Sequence, residues 1–130
     1  AEQAYTQAKL GGPRTWVRLP QDAWPPEWHG KYTDPVVPLE LALYGHPDSG
    51  GYWEKYSQSL MKSEGFCKIP GRRSCFWHPD LRAFVCIYVD DYKIACPIEN
   101  RTKVWDKITK HIECGKPATI DKLLGCKHTI

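Results

Sequence analysis

Two adjacent carboxylates, Asp90 and Asp91, stand between two apolar runs, Phe84 to Val89 and Tyr92 to Cys96. Runs this short, with no helical period, predict strands, and the two residues between them predict a tight hairpin with the acids at its tip. An acidic pair is a common turn former, so an ordinary polar turn is one reading. A metal site is the other. Like charges side by side repel unless water or a cation compensates them, and hard oxygen ligands so placed suit Mg²⁺.

Other residue types with chemistry to offer fit less distinctive patterns. Six cysteines, Cys67, Cys75, Cys86, Cys96, Cys114 and Cys126, could form a disulfide set. Cys86 and Cys96 fall inside apolar strand runs, where free cysteine behaves as a small hydrophobe, so reduced thiols are expected. Cys75 with His78, and Cys126 with His128, are possible fragments of a zinc site, but neither matches the usual paired-ligand spacing. Trp24 and Trp28 can anchor a proline-rich loop or offer a stacking surface for bases. Lys103, Lys107 and Lys110 share a predicted helix face, which is either a solvated surface or a phosphate contact. The net charge of +3 divides unevenly: residues 1 to 65 carry 6 Lys/Arg against 8 Asp/Glu, residues 66 to 130 carry 12 against 7. The basic half holds the acidic hairpin, an arrangement compatible with a polyanionic partner as well as with a mixed solvated surface.

The elements that must position the hairpin follow from periodicity and punctuation. The opening AEQAYTQAKL suits a short helix stopped by Gly11, Gly12 and Pro13, and Thr15 to Leu19 suits a strand. Pro20, Pro25, Pro26, Pro35 and Pro38 argue against regular ladders in the connection that follows. Leu39 to Tyr44 reads as a short strand. Trp53, Tyr56 and Leu60 recur at helical spacing between Asp48 or Ser49 as cap and Gly65 as stop. Phe66 to Ile69 and Ser74 to His78 read as strands around Pro70-Gly71-Arg72-Arg73. Ile98 to Ile112 reads as a second helix, with Ile98, Trp105, Ile108 and Ile112 on one face. Thr119 to Cys126 suggests a last strand or turn. Together these predict an α+β fold over 1–130 as one domain, an antiparallel sheet with helices packed on one face. The length allows a sizeable core, and no run approaches the roughly 18 apolar residues of a membrane span. With no signal-peptide pattern, the expectation is an intracellular protein, cytoplasmic or nuclear and not secreted. Met61 is the sole methionine, so the chain reads as a processed product or an excised piece.

Several motifs fall in an order that carries a resemblance. Tyr88-Val89-Asp90-Asp91 matches the tyrosine, any residue, Asp-Asp box of reverse transcriptases. Ala42-Leu43-Tyr44-Gly45, then Trp53 in a helix running to Gly65-Phe66, is similar to a segment of copia-type retrotransposon polymerases. Trp16 to Pro20 is similar to that family's Tyr-Met-x-Gln-Pro, and Leu123-Leu124-Gly125 to its Phe-Leu-Gly. The chain thus resembles, over essentially its whole length, the palm of copia-type reverse transcriptases, RNA-directed DNA polymerases. The resemblance implies nucleotidyl transfer with Mg²⁺ or Mn²⁺, with Asp90 a metal ligand and Asp91 its less directly bound catalytic neighbour. It implies that Tyr88 and Val89 contact the primer terminus, that Leu124 and Gly125 help grip the primer, and that the partners are an RNA or DNA template-primer and a deoxynucleoside triphosphate.

Two departures qualify that implication. The family's first catalytic aspartate lies four residues before an Ala-aromatic pair. Here the pair is Ala4-Tyr5, and counting back lands one position before Ala1. His46-Pro47-Asp48-Ser49-Gly50-Gly51 stands where the family has an amide and basic residues near nucleotide and template, which makes Asp48 and Ser49 the template-proximal positions with altered chemistry. Fingers, thumb and ribonuclease H are not visible. The expectation is a palm fragment with little activity alone and no metal necessarily bound. The alternative is a non-catalytic palm-derived module that binds nucleic acid or protein.

Overall fold

The computed structural model describes residues 1–119, 122–123 and 125–127. Its centre is a four-stranded antiparallel sheet in the order β3 (Cys67–Lys68), β4 (Cys75–His78), β5 (Ala83–Tyr88), β6 (Asp91–Ala95). Period-two alternation decides which side is covered. Phe76, Ala83, Val85 and Ile87 are buried on one face, with Ile94 and Tyr92 across from Val85 and Ile87 packed beside them. Two helices close that face. Helix α1 (Ser49–Ser63) contributes Met61, and α2 (Arg101–Thr109) contributes Val104 and Ile108. The fold is therefore α+β, as the sequence predicts. The opposite face carries Cys75, Trp77, Phe84, Cys86 and Tyr88, half-buried or exposed.

A second cluster gathers where the chain start meets α1. Ala4, Ala8, Ala42, Trp53 and Ile112 are buried together, with Tyr5, Tyr56 and Val89 against them. The opening segment holds only a single 3₁₀ stretch, Ala4–Gln7, not a longer helix.

Several elements differ from expectation for identifiable reasons. Val36–Pro38 (β2) pairs with Trp16–Arg18 (β1) in a two-stranded ribbon despite its proline. The Leu39 amide donates to the Thr15 carbonyl, so the neighbouring Trp16–Pro38 pair is the non-hydrogen-bonded kind, where a missing N–H costs nothing. Leu39 to Tyr44 forms no strand, only an isolated bridge from Leu41 to Lys9. In the second helix, Ile98 lies in a preceding 3₁₀ turn and is 72% exposed, while Val104 takes the core position. Neither Asp48 nor Ser49 caps α1 through its side chain: Ser49 is fully buried and its hydroxyl bonds the Leu43 amide and carbonyl instead. At the other end Gly65 stops α1 at φ +89, as expected. The segment after Thr119 includes a short hairpin, Lys122–Leu123 (β7) with Cys126–Lys127 (β8), and Gly125 in its turn at φ +79.

Candidate functional site

The hairpin forms, but its turn is one residue earlier than the apolar pattern suggests. Tyr88 pairs with Asp91, so the two turn residues are Val89 and Asp90, and Asp91 opens β6. Val89 adopts φ +50, a left-handed conformation that is unfavourable for a β-branched residue and is normally filled by glycine at this place in a two-residue hairpin. Two observations account for its being held there. Trp53 Nε1 donates to the Val89 carbonyl at 3.0 Å, and the Val89 side chain packs on the second cluster rather than continuing the strand.

Asp90 is held by two distant parts of the chain. The Tyr44 hydroxyl donates to its Oδ1 at 2.8 Å and its Oδ2 at 3.0 Å. The Ala4 amide donates to Oδ1 at 2.7 Å, and the Ala1 nitrogen donates to the Asp90 backbone carbonyl. Tyr5 and Tyr44 stack with ring centroids 4.4 Å apart, joining the two segments that grip the carboxylate. Partial burial, then the hydrogen bond to Asp90, pushes the Tyr44 hydroxyl up from its ordinary value. Asp91 is exposed, directly across from the 54% exposed Tyr88 on the uncovered face of the sheet.

The structure thus brings Tyr88, Val89, Asp90 and Asp91 onto one hairpin and adds Tyr44, Trp53 and Ala4 around it. Asp48 is exposed at the start of α1, and Gly125 lies in the β7–β8 turn; Leu124 lies outside the described residues. Sequence reasoning singled out Tyr44 and Trp53 as motif positions without a contact. Their spacing of nine residues, one before and one inside a predicted helix, was the available signal. Ala4 offered only its place in the Ala4-Tyr5 pair.

As metal ligands the acids form an incomplete set. Among the described residues no three His, Cys, Asp or Glu side chains gather to hold an ion. Both Asp90 oxygens already accept from Tyr44, which leaves Asp91 as the freer carboxylate. Cys75 and His78 stand three residues apart on one strand and therefore face opposite ways. Cys126 is described, and its companion His128 lies outside the described residues.

The predicted lysine face is also partly engaged. Lys110 Nζ bonds Glu64 Oε1 at 2.9 Å, Lys107 reaches the Glu64 backbone carbonyl at 3.0 Å, and His111 Nε2 meets Oε1 at 2.8 Å. Hydrogen bonds from Lys110 and His111 hold the Glu64 carboxyl down at about 2. Two of the three lysines therefore tie α2 to the end of α1. Trp24 and Trp28 are half-buried with their contacts inside the loop: Trp24 Nε1 donates to the Leu19 carbonyl at 2.9 Å, and Trp28 meets Tyr32 edge to face.

No helix among the described residues is long and apolar enough to cross a membrane. No family profile matches the chain, and no solved structure does. The chain is similar to the Ty5-1 transposon protein of Saccharomyces cerevisiae, 26% identical over 98 residues. That alignment takes in 71% of this chain and 31% of the yeast protein, so the chain spans about a third of the curated relative it matches. The common ground between the two sequences supports a retrotransposon-related origin for this chain.

Proposed function

We propose that the chain is a palm fragment of a copia-like reverse transcriptase, whose parent activity is RNA-directed DNA synthesis, and that alone it polymerises little or nothing. One observation carries the reading. The separate stretches that resemble the family, Ala4-Tyr5, Tyr44 and Trp53, converge on the Val89-Asp90 turn although 36 to 86 positions separate them from their partners there. Motifs that merely happened to match would have no reason to meet. The similarity to a transposon protein supports the same origin.

In this reading Tyr88 and Val89 face the primer terminus, Leu124 and Gly125 steady the primer, and Asp48 and Ser49 belong to the nucleotide-proximal segment. The partners are a template-primer and a deoxynucleoside triphosphate. The parent enzyme would use Mg²⁺ or Mn²⁺, which in such polymerases activates the primer hydroxyl and steadies the triphosphate. The chain's own residues supply only part of that ligand set. An added aspartate ahead of Ala1 would enter beside Asp90, because the Ala1 nitrogen already bonds the Asp90 carbonyl.

Primer extension with Mg²⁺ or Mn²⁺ is the direct test. The chain is expected to incorporate no nucleotide; robust incorporation abolished by Asp90→Asn would overturn its inactivity. Manganese titration of the chain with and without one aspartate ahead of Ala1 tests the palm origin, with tighter binding expected for the extended form. Equal affinity of both forms, together with template-primer binding that ignores Asp90→Asn, would favour a non-catalytic binding module.

A further inference from the structure

The uncovered face of the sheet holds a pair of thiols that the polymerase reading does not use. Cys75 begins β4 and Cys86 lies in β5, and the two are directly opposite in register. The Ile87 amide donates to the Ser74 carbonyl at 2.9 Å, which makes the adjoining Cys75–Cys86 pair the non-hydrogen-bonded kind. Such pairs bring Cα atoms to about 4.5 Å, within the span of roughly 4.4 to 6.8 Å that a disulfide bridges. Both thiols are free and half-buried, and the Cys86 side chain is hydrogen-bonded to Cys75. Lys93 stands across from Cys86 on the next strand, in the same row. Cys67 and Cys126 are exposed, and Cys67 faces Trp77 rather than another cysteine.

We propose that Cys75 and Cys86 form a dithiol site that a small-molecule disulfide such as oxidised glutathione converts to a cross-strand disulfide. One thiol loses its proton and attacks a glutathione sulfur, forming a protein–glutathione mixed disulfide and expelling one glutathione thiolate. The second protein thiolate attacks the mixed disulfide at the protein sulfur, forming the Cys75–Cys86 bond and expelling the second glutathione. Two protein thiols are oxidised, one glutathione disulfide is reduced to two thiols, and the two protons pass to the departing thiolates. Burial and then the Cys75 hydrogen bond push the Cys86 thiol up from its ordinary value, with Lys93 offsetting part of the rise. The site stands independently of the polymerase reading, since it needs only the β4–β5 register.

The test uses the folded chain in glutathione buffers of graded oxidation, followed by intact mass and peptide mapping. The expected product has lost two hydrogens, maps to Cys75 linked to Cys86, resists denaturant better than the reduced chain, and reverts with dithiothreitol. A Cys67→Ser/Cys126→Ser chain removes the exposed thiols and should give the same link. Stable single glutathione adducts on Cys75 or Cys86, or a link formed only in denaturant, would overturn the proposal. Because Cys75→Ser could fold poorly, phenylarsine oxide serves as a second probe on the unaltered chain. It bridges two close thiols, and a single bridged adduct covering Cys75 and Cys86 is expected; adducts elsewhere only would sink the site.

Discussion

Tyr44 is the residue on which the Asp90 carboxylate depends most, since its hydroxyl reaches both oxygens. Tyr44→Phe should lower stability by about 1 kcal/mol, the net worth of a hydrogen bond partly screened by water, with the change read from the denaturation midpoint. Trp53→Phe keeps most of the buried ring but removes the donor to Val89, and should cost about 1–2 kcal/mol and speed amide exchange in the Val89-Asp90 turn. A Trp53→Phe chain with unchanged turn exchange would show that packing alone holds Val89. The identity of these residues was legible in the sequence, yet their contacts were not. Trp53 carries a large apolar body that any amphipathic reading turns inward. Ala4, Ala8 and Ala42 are fully buried and give no such signal, because an alanine adds little apolar area and is buried where backbones approach closely. The docking of the chain start against Asp90 is therefore not read from residue type; only the Ala4-Tyr5 pair of the resemblance points to it.

At the scale of elements, helix α1 and strands β4 and β5 were legible in outline because strong periodicity and glycine punctuation agreed there. Gly65 illustrates why its place is strict. Its φ is +89, and a Cβ there would stand 3.0 Å from His78 Nε2, a buried atom with no hydrogen-bond partner among the described residues. Gly65→Ala should destabilise by more than about 1 kcal/mol, from backbone strain and the pressure on His78 together, measured by chemical denaturation. A neutral effect would mean that the turn relaxes. Strand β1 was legible within Thr15 to Leu19, but its partner β2 was not, since proline content says nothing of which ladder positions need an N–H. The start of the second helix misled for another reason: Ile98 follows Pro97 and belongs to a 3₁₀ turn, so its spacing from Trp105 is not helical. The hairpin turn was misplaced by one because Val89, by type a strand residue, is drawn out of the sheet by partners far away in sequence.

Over the whole molecule, Glu64 fastens the two helices that cover the sheet, meeting Lys107, Lys110 and His111. Its carboxyl sits at about 2 against an ordinary 4.5, so ionisation favours the folded state. That contribution is complete above about pH 4.5 and is lost as pH falls through about 2. Glu64→Gln should lower stability at neutral pH and flatten the acid limb of the stability profile, as read from denaturation midpoints between pH 2 and 6; an unchanged acid limb would assign acid sensitivity elsewhere. The long-range charge asymmetry of the sequence is thereby partly internal, with lysines of the basic half answering a carboxylate of the acidic half. The contact between Ala1 and Asp90 has a practical side. A fluorophore or spin label attached to the chain's first nitrogen would stand next to the Val89-Asp90 turn and close to Trp53, reporting changes at the hairpin without any substitution in it. By the same geometry, a purification tag placed ahead of Ala1 would intrude on that turn.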